Sequence, residues 1–257
     1  MSNSSESNQK IIGVIPARYG SGRMPGKPLA DICGKPMIWW VYQSAKKSTL
    51  LNKIIIATDD RRIEEVCNKL NLSVIMTSVN HDTPTSRLYE VSTLIDADLY
   101  LLIMGDEPLF NEKCLSLILP QSKTPDYYVA ALTNELTEAT EVIDFSNQKI
   151  VCNSEGNALM ISRSPIPYPK GFLDYHYEKV TGVQIFSKKA LKFYNDTERS
   201  VLEKAEENDL LRFIENSIPV RMISSPYKTV SVDTYKDLEK VRTIISDKEE
   251  LLWKTVI

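Results

Sequence analysis

Between residues 11 and 103 the chain switches repeatedly between two hydrophobic periods. "IIGVIPA" is a short apolar run. Ile38, Val41, Tyr42 and Ala45 then recur at i, i+3, i+4 and i+7, the spacing of one helix face. "KIIIAT" is a second apolar run, followed by Ile63, Val66, Cys67 and Leu70 at the helical spacing, with Asp59 and Asp60 where an N-cap is wanted. "SVIMT" reads as strand, Leu88, Val91 and Ile95 as a helix face, and "DLYLLIMG" as strand again. Such alternation predicts an α/β fold, a mostly parallel sheet with helices on both faces. Ligands of these sheets gather at the carboxyl ends of the strands. The basic loop after the first strand and Asp106 after the last both fall there.

The second half is less regular. "YYVAALTNEL" and "NALMISRSPIPYP" read as strands, and the proline-rich "SPIPYPKGF" as an irregular segment. "GVQIFSKKALKFY" is a strand leading into a helix, and "VRMISS" a further strand. "LEKAEENDLLRFIEN" is predicted to form one charged amphipathic helix, its face over 203–215 half solvated. "SVDTYKDLEKVRTII" closes with Leu238, Val241 and Ile245 on one face, opened by a capping box of Thr234 and Asp237. With no repeat or linker to force a second domain, residues 1–10 read as a disordered lead-in and 11–257 as a single domain, with roughly 150–225 as a smaller irregular lobe.

Composition narrows the partners. A net charge of −3 over 257 residues argues against a nucleic-acid or membrane surface, so any anion site is a local basic patch. Cys33, Cys67, Cys114 and Cys152 form no CxxC pair, and with only His81 and His176 a zinc cluster is not indicated. Free thiols suit a reducing compartment. The polar "MSNSSESNQK" has no apolar core of a signal peptide, and no apolar run reaches membrane-spanning length. The expectation is a soluble, cytoplasmic protein.

"IPARYGSGRMPGKPL", residues 15–29, sets Arg18, Arg23 and Lys27 among Gly20, Gly22 and Gly26 with no acid between them. A glycine-rich connection from strand to helix presents backbone N–H groups, and arginine and lysine add positive charge. Three cations without a carboxylate would repel one another, and a di- or triphosphate would relieve that repulsion. The spacing is neither GxxxxGK[ST] nor GxGxxG, so neither a P-loop NTPase nor a dinucleotide fold is indicated.

The stretch "IPARYGSGRMPGKPLADICGKPMI" resembles the opening of the 3-deoxy-manno-octulosonate (Kdo) cytidylyltransferases, the CMP-Kdo synthetases. The likeness continues in collinear order through "IIIATDD", "HDTPTSRL", "GDEP", "TGVQIFSKKAL" and "VDTYKDLEKVR". It implies a nucleotidyltransferase that joins CMP from CTP to an acidic sugar and releases pyrophosphate, with Mg²⁺ as cofactor, and a homodimer formed by the smaller lobe. The resemblance implies phosphate roles for Arg18, Ser21, Arg23 and Lys27, of which Arg18, Arg23 and Lys27 would assist catalysis. Thr85 and Arg87 would help frame the cytidine, with backbone near Ala17. Asp106 and Asp233 would hold the metal; read alone, Asp233 is equally a helix-capping acid and Asp106 a turn residue before Pro108.

Departures from the family pattern cluster on the acceptor side. Met104 replaces a glutamine before "GDEP", Pro84 a glycine, Thr181 lies near a missing histidine, and "NDLLR" puts Asp209 and Leu210 where the family has Glu and Gln. Arg163 of "ISRSPIPY" matches a family arginine, so an anionic acceptor is retained. Asp209 and His176 are further acceptor candidates, although His176 also reads as a surface loop residue, and His81 as a loop donor supporting the Thr85 and Arg87 segment. The readings left open are transfer to Kdo, transfer to a different acid such as a phosphonate, and a non-catalytic nucleotide-binding relative. Uridylyl or guanylyl transfer also stays open.

Overall fold

A computed structural model describes residues 9–20, 24–121, 124–171 and 174–255; the expected lead-in falls almost wholly outside them. The first half follows the predicted alternation. β1 (Ile11–Ala17) leads through a 3₁₀ turn at Lys27–Leu29 and a small hairpin, β2 (Asp31–Ile32) and β3 (Lys35–Pro36), into α1 (Met37–Lys46). Then come β4 (Lys53–Thr58), α2 (Arg61–Lys69), β5 (Val74–Met76), α3 (Pro84–Leu94) and β6 (Leu99–Ile103). Asp60 caps α2 as expected, its carboxylate accepting from Arg62 N at 2.9 Å.

A 3₁₀ turn at Glu112–Cys114 and α4 (Leu115–Ile118) precede β7 (Val129–Glu135), α5 (Ala139–Ile143), β8 (Lys149–Cys152) and β9 (Ala158–Ser162). β10 (Glu178–Ser187) runs into α6 (Lys188–Asp196), followed by α7 (Val201–Glu206), α8 (Leu210–Glu215), β11 (Arg221–Ser224) and α9 (Tyr235–Thr255). The strands of the main sheet lie in the order β11-β7-β10-β6-β1-β4-β5, with β8 on β10 and β9 on β8. β5, β4, β1 and β6 are parallel, and β11 is parallel to β7. β10 runs antiparallel to β6 and β7, which makes the sheet mixed.

Alternation along the strands supplies two cores. Ile11, Ile15, Ile54, Ile56, Leu99 and Leu101 face one side with α1 and α2. Ile12, Val14, Ile55, Tyr100 and Leu102 face the other with α3, α6 and α8. At roughly 25 cal/mol per Å² of buried apolar surface, these two layers dominate the stabilising side of folding. A third cluster joins Leu238, Val241 and Ile245 of α9 to Met24, Ile32 and Met37. Thr234 and Asp237 form the expected box: Thr234 N donates to the Asp237 carboxylate at 2.8 Å, and Asp237 N to Thr234 Oγ1 at 3.3 Å.

The single helix predicted over "LEKAEENDLLRFIEN" is instead two. Glu207 adopts φ 50°, the left-handed conformation that ends a helix, and Asn208 Oδ1 then accepts from Leu210 N at 2.9 Å to start the next. Nor is its charge solvated throughout. Glu203 and Arg212 are buried and bound to each other at 2.6 and 2.7 Å. Among the described residues, none of Cys33, Cys67, Cys114 and Cys152 is joined in a disulfide. Among the described residues, no helix is long and apolar enough to cross a membrane.

Candidate active site

The carboxyl ends of β1 and β6, the amino end of α3 and the chain just ahead of α9 meet around a cleft of about 370 Å³. Two of these parts are joined by backbone, for Val232 N donates to Asp106 O at 2.9 Å. That bond brings Asp106 and Asp233, far apart in sequence, to one wall.

Lys27 sits between them. Its ammonium donates to Asp106 Oδ2 at 2.7 Å, to Val232 O at 2.9 Å and to Asp233 Oδ1 at 3.3 Å. Burial pulls its pKa down, but the Asp106 carboxylate, helped by Asp233, more than offsets this and leaves it raised. The expected mutual repulsion of the loop cations is therefore corrected for Lys27. Distant carboxylates, invisible in the local sequence, supply the missing counter-charge. Lys27 is placed by Gly26, whose φ of 71° opens the 3₁₀ turn and whose missing Cβ would lie 3.1 Å from the Tyr19 ring. Arg18 is exposed at the end of β1 beside buried Ala17, and both line the cleft. Ser21 and Arg23 lie outside the described residues.

α3 carries the opposite wall. Thr83 caps it by accepting from Ser86 N at 3.1 Å. Pro84, where the family pattern has glycine, is its first residue, a position that suits proline's fixed φ and missing N–H. Arg87 is buried; its guanidinium donates to Asp59 at 2.7 Å and also to Thr77 Oγ1, locking α3 to the end of β4. His81 supports this segment as expected, with Nδ1 3.1 Å from Ser86 Oγ and Nε2 against the Glu90 carboxylate. Thr85 is fully buried, and its backbone N–H donates to Asp209 Oδ2 at 3.2 Å.

A second cleft of about 740 Å³ opens beside the first, sharing Pro84, Met104, Asp106, Arg163 and Asp233 with it. Arg163 is braced by Glu206 O at 3.0 Å and Phe145 O at 3.1 Å. Asp209 lines this cleft, where burial pushes its carboxyl pKa up against the opposing bond from Thr85. The other departures divide. Thr181 turns its hydroxyl to Leu132 O at 3.0 Å, within the sheet, and Leu210 is fully buried in the core.

His176 is not brought to either cleft, which corrects its assignment as an acceptor candidate. It precedes β10 on the surface and pairs with Glu135 at 2.6 Å. It lines neither cleft; the lining of the second reaches only to Val180 on β10.

Several cleft residues were not singled out in the sequence. Glu107 is buried and accepts from Ser231 Oγ at 2.7 Å and Gly182 N at 3.3 Å; burial, with Asp106 alongside, pushes its pKa up. Gly182 must be glycine, since a Cβ there would stand 2.8 Å from Met104 Cβ and 2.9 Å from Glu107. Gln148, Gln184 and Asn208 also line the second cleft. Their only sequence signal is a polar side chain interrupting an apolar strand or a helix junction.

Residues 12–239 match a family model described as cytidylyltransferase. A 3-deoxy-manno-octulosonate cytidylyltransferase of Escherichia coli is 37% identical over 240 residues, covering 93% of this chain and 97% of that protein. One of Lawsonia intracellularis is 36% identical over 242 residues, covering 93% and 95%. A solved CMP:2-keto-3-deoxy-manno-octonic acid synthetase complexed with CTP superposes with a TM-score of 0.87 at 37% identity, covering 93% of this chain and 99% of that one. A 4-diphosphocytidyl-2C-methyl-D-erythritol synthase from Anaerococcus prevotii shares the fold at a TM-score of 0.63 and 14% identity, covering 93% and 99%.

Proposed function

The chain belongs to the 3-deoxy-manno-octulosonate cytidylyltransferase family, a family of nucleotidyltransferases, and we propose that it transfers CMP from CTP to an acidic sugar, Kdo or a related acid. The observation that carries this reading is the meeting of Asp106, Asp233 and Lys27 where a basic loop and a wide second cleft adjoin. CTP belongs in the first cleft, with its phosphates toward Arg18 and Lys27. The acceptor belongs in the second, with its carboxylate toward Arg163.

The donor set fits Mg²⁺. Asp106 and Asp233 offer hard carboxylate oxygens, and the ammonium held between them marks a position that favours positive charge. When bound there, the ion supplies Lewis-acid neutralisation of charge on phosphate oxygens. The chain's own residues do the rest. An acceptor hydroxyl attacks the α-phosphorus in line, the bond from the α-phosphorus to the oxygen bridging it to the β-phosphate breaks, pyrophosphate leaves, and the hydroxyl proton passes to solvent. Arg18 and Lys27 offset charge on the departing pyrophosphate, while Arg163 holds the acceptor in line. No protein nucleophile is required. Burial pushes the Cys67 thiol up to about 11 and the Cys114 thiol up to about 12, so neither is a ready thiolate.

The test is pyrophosphate release with CTP, ATP, GTP or UTP against a panel of acids, with and without Mg²⁺. Release with CTP and a sugar acid, abolished by a chelator, is expected. Release with another nucleotide in preference to CTP would overturn the assignment.

A further inference from the structure

Lys149 of β8 is a charged residue that the proposed chemistry does not use, and it is 0% exposed. Its ammonium donates to Asp144 O at 2.9 Å, to Asn147 O at 2.6 Å and to Arg163 O. All three are backbone carbonyls, so dipoles from two separate stretches of chain take the place of water. Burial pulls its pKa down by more than Asp144 and Glu206 nearby pull it up. An ammonium enclosed in this way costs stability that an apolar residue would not. Its best-attested use is to fix one arrangement of its neighbours.

Those neighbours form part of the second cleft. Phe145 and Ser146 stand between two of the carbonyls, Arg163 carries the third, and all three residues line that cleft. The far end of Arg163 is tied to the same turn. Its guanidinium donates to Phe145 O at 3.1 Å and to Glu206 O at 3.0 Å, while its backbone N–H donates to the Glu206 carboxylate at 2.8 Å. A closed circuit results. It runs from the ammonium to Asp144 O, along the chain to Phe145 O, across to the guanidinium, and back through Arg163 O. The sheet sets its span, because Lys149 lies opposite Ser162 of β9, the residue before Arg163.

We propose that Lys149 is a positioning residue for the acceptor's anionic group. By fixing both the Arg163 carbonyl and the turn that carries Phe145 O, its ammonium sets the direction in which the Arg163 guanidinium faces the cleft. This rests on the reading above that places the acceptor's carboxylate toward Arg163. A guanidinium grips a carboxylate through a rigid planar fork, so a small rotation forfeits one of two parallel bonds. Lys149 touches no substrate and acts through Arg163 alone.

The test is steady-state pyrophosphate release by the full chain with CTP, Mg²⁺ and Kdo as the probe acid. Lys149→Met keeps an unbranched side chain and removes the charge and its donors; Arg163→Gln removes the fork. Lys149→Met is expected to raise KM for Kdo roughly tenfold, about 1.4 kcal/mol, with KM for CTP shifted less than about twofold. A merely structural lysine would lower the folded fraction, and with it the apparent kcat, without moving either KM. In the double variant the Lys149→Met loss should vanish against Arg163→Gln, because the two residues act as one unit. A KM for Kdo that ignores Lys149→Met, or two losses that multiply, would overturn the positioning role while leaving cytidylyl transfer standing. If Lys149→Met does not fold, Lys149→Gln keeps two donors without the charge and decides the same question. A rise of at least about threefold in KM for Kdo supports the role, and no rise overturns it. A KM for Kdo unmoved by Arg163→Gln would instead overturn the placing of the acceptor at Arg163. No release with Kdo by the unaltered chain would overturn the transfer reading on which the role rests.

Discussion

Two of the clusters of opposed charge among the described residues differ in construction. In the first, Arg212 grips Glu203 at 2.6 and 2.7 Å, gives two more donors to Tyr194 O and Thr197 O, and stacks 3.7 Å from the Tyr194 ring. Side-chain exposure is 0% for Glu203 and 6% for Arg212, and Arg199 adds a further bond to Glu203 at 3.3 Å. In the second, Lys27, Asp106 and Asp233 keep 15%, 19% and 32% exposure and line both clefts or their junction. The closed pair holds α7 and α8 against α6. The open cluster leaves its carboxylates and its ammonium on the walls of the clefts. What separates the two is completeness of pairing, not strength of attraction.

The largest effect is expected at the open cluster. Asp106→Asn or Asp233→Asn should cut turnover roughly ten-thousandfold, about 5.5 kcal/mol of barrier. Because Lys27 keeps its other carboxylate, the melting temperature should move little. Undiminished turnover, or unfolding in place of inactivation, would erase the distinction between the clusters.

At the closed pair the direction reverses. Glu203→Ala strands a buried guanidinium and should destabilise the fold by about 3–5 kcal/mol, measured by chemical denaturation. Turnover per folded molecule should be spared. A loss of turnover with stability intact would make this pair functional after all.

The smallest effect sharpens the contrast by pH. The Asp209 pKa is raised in the folded chain, so its contribution to stability is fully present below the unfolded carboxyl value and fades as pH rises through the folded one. Asp209→Asn keeps an acceptor for Thr85 N without that charge. The variant should melt above the parent at pH 8, by about 2–4 °C for each 1 kcal/mol gained, and the gap should close near pH 4. A gap constant with pH would show that the charge is not the cause.

The fold was legible where periodicity was pure. Ile38, Val41, Tyr42 and Ala45 are all buried as their spacing implies, and the strands of the first half fall where apolar runs place them. The second half resists because its signals are single residues. Glu207 in a left-handed conformation divides a helix that reads as continuous, and β8 carries the buried Lys149, whose ammonium donates to Asp144 O, Asn147 O and Arg163 O. A lysine in a strand gives no apolar run to find. The site followed the same rule. Asp106 and Asp233 stand in motifs, but the Lys27 contacts that join them depend on tertiary approach. His176 was misplaced because nearness in sequence along a strand is not nearness in space.

The bond from Thr85 N to Asp209 has an evolutionary consequence. Asp209 lines the second cleft, yet it also secures the first turn of the helix that bears Arg87 beside the first. Any lineage that changes this acid reaches both clefts in the same step. Gln184 lines the second cleft without the first, and its Oε1 makes no such tie. Substrate range in descendants of this chain should therefore drift first through the strand and only later through the helix junction, because one wall is bound to an older duty and the other is not.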